Sequence, residues 1–278
     1  MENIKIIITD LDNTILRKDK TISAYTTLIL KKCLEYGFII AFATARPERA
    51  TRQWQVGGTP IYIISNNGAT IMLDGKEIRN IPISDNTKHD LLKRFADNED
   101  VDGITVEAGD FLYTNDKEYK TWANLINDAG WNPVYHDFLT PISEKICKIS
   151  VNCKSLEIIM NILHDYPDLH IYPNNGEYWH QITHIAASKI NAIQYLSKLS
   201  NVSINDIIAF GDDYNDVDMI KKCGVGVAVA NAVSDAKQAA DFICESNDND
   251  GVAKFIEKFL LHREWEKPCT ALNPLRFR

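Results

Sequence analysis

Several things are missing from this chain, and each absence narrows what it does. The first apolar run, Ile6–Ile8 and the residues around it, is far too short for a signal h-region or a membrane span. The expectation is therefore a cytoplasmic protein with no membrane partner. Six cysteines (Cys33, Cys147, Cys153, Cys223, Cys244 and Cys269) are dispersed without a single CxxC pair. That excludes a zinc ribbon and a dithiol redox motif and leaves reduced, buried thiols. No basic cluster exists either: the 30 Lys and Arg are scattered among 38 acidic residues, for a net charge of -8. Broad electrostatic binding of nucleic acid is excluded on that balance. There is no Walker-type lysine loop, and "GVGVAVAN" lacks the third glycine and the later acidic residue of a Rossmann cofactor site. A small substrate remains.

What is present is enough apolar material for a real core, 45% of 278 residues, arranged in two rhythms. Residues 1–83 alternate strand and helix: "KIIITD", "SAYTTLILKKCLEYG", "FIIAFATA", a helix opened by Pro47, "IYIISN", then a hairpin turning at Asp74-Gly75. Strands that are apolar throughout imply a parallel sheet covered on both faces. Residues 84–186 read instead as helices and alternating hairpins, an α+β module whose sheet is covered on one face. From 187 to 278 the first rhythm returns with "SKINAIQYLSKL", "IIAFGDD", "NDVDMIKKCG", "VGVAV" and "DFIC". A closing helix, "GVAKFIEKFLLHREW", and an irregular tail, "KPCTALNPLRFR", follow. The fold class is therefore α/β, a doubly wound Rossmann-like parallel-sheet core interrupted by an inserted α+β domain.

Carboxylates gather at two strand ends. Asp10 and Asp12 follow "IIIT"; an extended backbone sends residues i and i+2 to the same side, so both point to one place. Asp212, Asp213, Asp216 and Asp218 follow "IIAFG", and strand ends at this edge are where ligands bind in open α/β sheets. Each close pair of carboxylates repels by about 4 kcal/mol at an effective dielectric near 20. A hard cation is required, and a shallow all-oxygen site suits Mg2+ better than calcium. Turns and helix caps also use aspartate, but capping does not explain paired acids at both strand ends. His180 and His184, four apart on a predicted hairpin, are no metal signature.

Four stretches in order, "DLDNT", "ATAR", "ASKINA" and "GDDYND", resemble the motifs of the haloacid dehalogenase superfamily of phosphohydrolases. The insertion between the second and third resembles the type 2 cap of the Cof-type, or IIB, subgroup. Asn13 and Ile190 depart from glycines common at those positions. The resemblance implies that Asp10 is the nucleophile, that Asp12 is the general acid and base, and that Thr44 and Lys189 engage the phosphoryl group. It implies Mg2+ held by Asp10, the carbonyl of Asp12 and Asp212, with Asn215 and Asp216 as direct or outer supports. Lys189 is needed on charge alone, since magnesium does not balance a phosphate dianion beside three carboxylates. Ala45 and Asn215 join the phosphate contacts; Arg46 either reaches the phosphate or stays at the surface, and Asn67 and Gly68 either line the phosphate loop or make a simple turn. Tyr113, Tyr172, Asn174, Asn175, Tyr178 and Trp179 are candidate leaving-group contacts in the insertion, or else core and turn residues. The function implied is a Mg2+-dependent phosphatase of a small phosphorylated metabolite. A phosphosugar mutase, or a non-catalytic phosphate sensor, is the alternative.

Overall fold

The computed structural model describes residues 3–54, 56, 61–121, 132–172 and 178–261. Asn174, Asn175, Cys269 and the tail expected to be irregular lie outside those residues. Strands in chain order are β1 (Ile6–Thr9), β2 (Ile39–Ala43), β3 (Tyr62–Ser65), β4 (Thr70–Leu73), β5 (Lys76–Asn80), β6 (Val101–Ala108), β7 (Phe111–Thr114), β8 (Pro133–Tyr135), β9 (Lys148–Cys153), β10 (Leu169–Tyr172), β11 (Trp179–His184), β12 (Ile207–Gly211), β13 (Val225–Val229) and β14 (Phe242–Cys244). Two sheets result. One has eight strands in the order β14-β13-β12-β1-β2-β3-β4-β5, the other six in the order β10-β11-β9-β6-β7-β8.

The first sheet is parallel from β14 to β3, with β4 antiparallel to β3. Its centre is β1, and the isoleucines explain why. Ile7 packs with Phe42 and Phe210 on one face, while Ile6 and Ile8 pack with Ala41, Ala43 and Ala209 on the other. A strand buried on both faces has no use for alternation, so it reads as a continuous apolar run. The fold is α/β with a separate inserted sheet of mixed direction.

The chain divides into two compact units. The first comprises the chain up to Ala45, Trp54–Ile78 and the chain from Ser188 onward; the second comprises Arg46–Gln53 and Arg79–Ala187. In the first, helices α1 (Ala24–Glu35) and, after the insertion, the one opened by Lys189 are capped by Ser23 and Ser188, whose side chains accept the N–H groups of Thr26 and Asn191. In the second, helices Asp85–Ala96 and Leu156–Leu163 bury Leu91, Phe95 and Ile159 against Ile104, Val106, Ile149 and Val151.

Three local differences from the sequence expectations have physical causes. Pro47 does not open an α-helix: it precedes a single 3-10 turn, Glu48–Thr51, with extended backbone at ψ 156°. That turn lies between two strands of the first unit in sequence yet packs with the second, where the Arg49 guanidinium meets Glu107 at 2.5 Å and Arg52 meets Asp110 at 2.7 Å. Strand β8, too short to show a pattern, pairs parallel to β7. No helix among the described residues is long and apolar enough to cross a membrane. The five described cysteines are free and buried, and burial pushes the thiols of Cys33, Cys223 and Cys244 up to about 12. At that value they are not nucleophiles at neutral pH.

Candidate active site

The site is built where β1 and β12 end side by side in the first unit. The ladder continues one residue past β1, with the Asp10 N–H donating to the Phe210 carbonyl at 3.0 Å, so Asp10 is fixed by the sheet itself. The residue is 6% exposed. Beyond it, Leu11–Ile15 form a tight turn in which Asn13 takes φ 56°. Asparagine tolerates this left-handed conformation better than other residues with a side chain, so its departure from the glycine expected by resemblance is compatible with the turn.

The first two acids pair with different lysines. The carboxylate of Asp12 accepts from Lys20 Nζ at 2.7 Å in a pair that is half exposed. The buried acidic group consists instead of Asp10, Asp212 and Asp216, whose oxygens lie within 4.8 Å of one another.

Asp216 is held by every oxygen it has. Oδ2 accepts the N–H groups of Asp212 at 2.9 Å and Asp213 at 3.1 Å, and Oδ1 accepts from Lys189 Nζ at 2.6 Å. The carboxylate reaches these donors because β12 ends in glycine. A Cβ at Gly211 would stand 2.5 Å from Asp216 Cβ. Lys189, buried at the first position of its helix, also donates to Asp10 Oδ1 at 2.7 Å. Asp212 Oδ1 accepts from the Thr14 hydroxyl at 2.6 Å. Asp213 caps its own turn through the Tyr214 N–H, and Asp218 pairs with Lys222 at the surface.

The electrostatics follow from burial. Asp10 is held well above the usual carboxylate range, first by desolvation and then by the charges of Asp216 and Asp212, with Lys189 pulling it down. Desolvation and the Asp216 charge push Asp212 up to about 7, against the Thr14 bond that lowers it. Burial works against the charge of Lys189, but Asp10 and Asp216 together outweigh it and raise its pKa above the ordinary value. With all three carboxylates ionised, one ammonium leaves two negative charges uncompensated. Oxygen donors at that spacing with that deficit fit a hard divalent cation such as Mg2+.

A third strand completes the site. The Thr44 N–H donates to the Ile64 carbonyl at 2.8 Å, and the Asn67 N–H donates to the Thr44 carbonyl at 3.1 Å, so Thr44 is pinned between β2 and β3. Asn66, Asn67 and Gly68 take φ 49°, 55° and 94° in succession. Gly68 is compulsory: a Cβ there would lie 2.2 Å from the Ser188 carbonyl oxygen, just before Lys189. Asn215 donates from Nδ2 to Asn67 Oδ1 at 2.9 Å.

The first unit therefore holds Asp10, Asp12, Thr44, Ala45, Asn67, Gly68, Lys189, Asp212, Asn215 and Asp216, while Arg46, Tyr178 and Trp179 belong to the second. Ile190, the other departure from a common glycine, is buried in the core with Ile193 and Ile207. Two contributors were not singled out from sequence. Thr14 was visible as the last residue of "DLDNT", a hydroxyl between apolar neighbours, whereas nothing local marks Gly211 as the space Asp216 needs.

Similarity to known proteins runs the length of the chain. It is 26% identical to YitU of Bacillus subtilis, a 5-amino-6-(5-phospho-D-ribitylamino)uracil phosphatase, over 91% of this chain and 97% of that one. YwtE of the same organism, a phosphatase of the same description, is 26% identical over 92% of this chain and 98% of its own. Among solved structures, a phosphatase of the HAD superfamily from Bacteroides thetaiotaomicron superposes with a TM-score of 0.80 at 23% identity, over 92% of this chain and 95% of that one. A sugar phosphatase of HAD subclass IIB gives 0.77 at 20% identity, over 92% and 98%. The last two likenesses speak for the fold. The family model of haloacid dehalogenase-like hydrolases matches residues 7–256, and the chain belongs to that family.

Proposed function

We propose that this protein is a Mg2+-dependent phosphatase that hydrolyses a small phosphorylated metabolite through an aspartyl-phosphate on Asp10. The observation that carries the reading is the buried cluster in which Lys189 spans Asp10 and Asp216 beside Asp212. Asp10, the Asp12 carbonyl and Asp212 would hold the metal, with Asn215 and Asp216 in support; when bound, it supplies positive charge that draws the phosphoryl oxygens and keeps Asp10 ionised.

Asp10 attacks phosphorus with a carboxylate oxygen as the bond to the leaving oxygen breaks, and Asp12 delivers a proton to that oxygen. Asp12 then takes a proton from water, whose oxygen attacks phosphorus and releases Asp10 and inorganic phosphate. The part-exposed position of Asp12 suits a group that must exchange protons with solvent. Lys189, with no other carboxylate bond than those to Asp10 and Asp216 among the contacts described, offsets the charge of nucleophile and phosphate together. Thr44, Ala45, Asn67 and Gly68 are assigned to the phosphate side of the site.

Residues 84–186 are read as the specificity insertion into a core of 1–83 and 187–278, with Arg46, Tyr178 and Trp179 as candidates for recognising the substrate. The ribitylaminouracil phosphatase activity of the relatives supports a hydroxyl-rich phosphomonoester. A panel of phosphorylated metabolites, scored by phosphate release with and without EDTA, tests the reading. Release that persists without metal defeats the site as drawn; conversion of a hexose monophosphate to its isomer without release identifies a mutase instead.

A further inference from the structure

Three successive left-handed residues at the end of β3 are more than a turn requires, and two of them touch the other catalytic segments. Gly68 abuts the Ser188 carbonyl ahead of Lys189, and the Asn67 side chain meets Asn215 of "GDDYND". A carboxamide has a donor end and an acceptor end. With Nδ2 of Asn215 committed to Asn67 Oδ1 at 2.9 Å, Asn215 has its oxygen, the end with affinity for a hard cation or its waters, as the acceptor end opposite that bond. Asn67 itself is fixed by its own N–H on the Thr44 carbonyl at 3.1 Å and is 1% exposed, so its oxygen is a rigid reference point.

We propose that Asn67 is a positioning residue for the magnesium site: its side-chain oxygen selects the orientation of the Asn215 carboxamide. The assignment rests on the phosphatase reading above and deepens it, replacing a phosphate contact at Asn67 by action through Asn215. Outer groups that orient a metal-supporting side chain are worth about 10–100-fold in metal affinity.

The test compares N67G and N67D with the wild type by calorimetric titration of Mg2+ alone, alongside p-nitrophenyl phosphate turnover. Glycine accepts φ 55° without strain, so N67G removes the oxygen while sparing the backbone. Its melting temperature, read in parallel, confirms the fold. N67G should bind Mg2+ about 10-fold or more weakly. N67D keeps an oxygen acceptor and should bind Mg2+ more tightly than N67G. Unchanged Mg2+ affinity in folded N67G overturns the proposal. So does a folded N67D protein that binds Mg2+ no more tightly than N67G, since the retained oxygen would then have no effect on Asn215. A wild type that binds Mg2+ and releases no phosphate would defeat the phosphatase reading, while the Mg2+ titrations would still decide the role of Asn67.

Discussion

Replacing Asp212 by asparagine should make the metal-free protein more stable, and increasingly so as pH rises from the ordinary carboxyl range to alkaline values. Asp212 titrates at about 7 in the folded chain against an ordinary 3.8, because it is buried and faces the charge of Asp216. A carboxyl raised in the folded state stabilises fully below its unfolded pKa, and that contribution is lost as pH rises through the folded value. A difference of roughly three units corresponds to about 4 kcal/mol of stability lost to the wild type at pH 8, of which about 2–3 kcal/mol disappears between pH 5 and pH 8. D212N keeps an oxygen for the Thr14 hydroxyl and has nothing to titrate, so its advantage should widen across that interval. His170, whose pKa burial lowers, titrates in both proteins and cancels in the comparison. Urea unfolding of both proteins in EDTA at pH 5 and pH 8 measures the gap. Mg2+ at 100 times its Kd adds about 2.7 kcal/mol to the protein that binds it, so at pH 8 it should shrink the advantage of D212N to about 1–2 kcal/mol. A gap equal at the two pH values, or a D212N protein less stable than wild type at pH 8 in EDTA, would refute the electrostatic account of the cluster.

Asp10→Asn should abolish turnover of p-nitrophenyl phosphate while the circular dichroism spectrum and melting temperature stay at or above the wild-type values, because a buried charge has been removed; retained activity would sink the nucleophile assignment. Lys189→Met leaves Asp10 and Asp216 buried without their cation, which should cost about 3–5 kcal/mol at pH 8 by urea unfolding, with recovery on acidification as the carboxylates protonate. Gly211→Ala forces a Cβ against Asp216 and should cost about 1–3 kcal/mol together with most of the activity, whereas the same change at the open turn residue Gly75, where a Cβ meets nothing, should leave activity unaltered even though its φ of 70° carries some strain. Activity loss of the same size at both glycines would argue against the crowding explanation.

How legible each part was depended on whether the signal was local. The Ile6–Ile8 run announced a central strand because burial on both faces suppresses alternation, and the four motifs announced the site because chemistry fixes the residue types. The direction of the Asp12 side chain was not legible. It depends on where strand geometry stops, and the turn over Leu11–Ile15 begins immediately after Asp10. The affiliation of Arg46–Gln53 with the second unit was equally hidden, since it rests on Glu107 and Asp110, about sixty positions away in sequence.

The glycines and asparagines supply what the reactive residues lack. A carboxylate cluster can be written in four letters, but bringing its members within 4.8 Å requires backbone to pass where a side chain would otherwise stand. Gly211 makes room for Asp216, Gly68 lets the β3 loop reach Ser188, and Asn13 supplies the left-handed residue of the turn that follows Asp10. Each of these is a small residue or one that tolerates positive φ, and none carries the chemistry. Substituting glycine at Asn13 should therefore preserve the turn, and a β-branched residue there should unseat it. If Asn13→Val matched Asn13→Gly in p-nitrophenyl phosphate turnover and in melting temperature, the left-handed backbone at position 13 would not be what the turn requires.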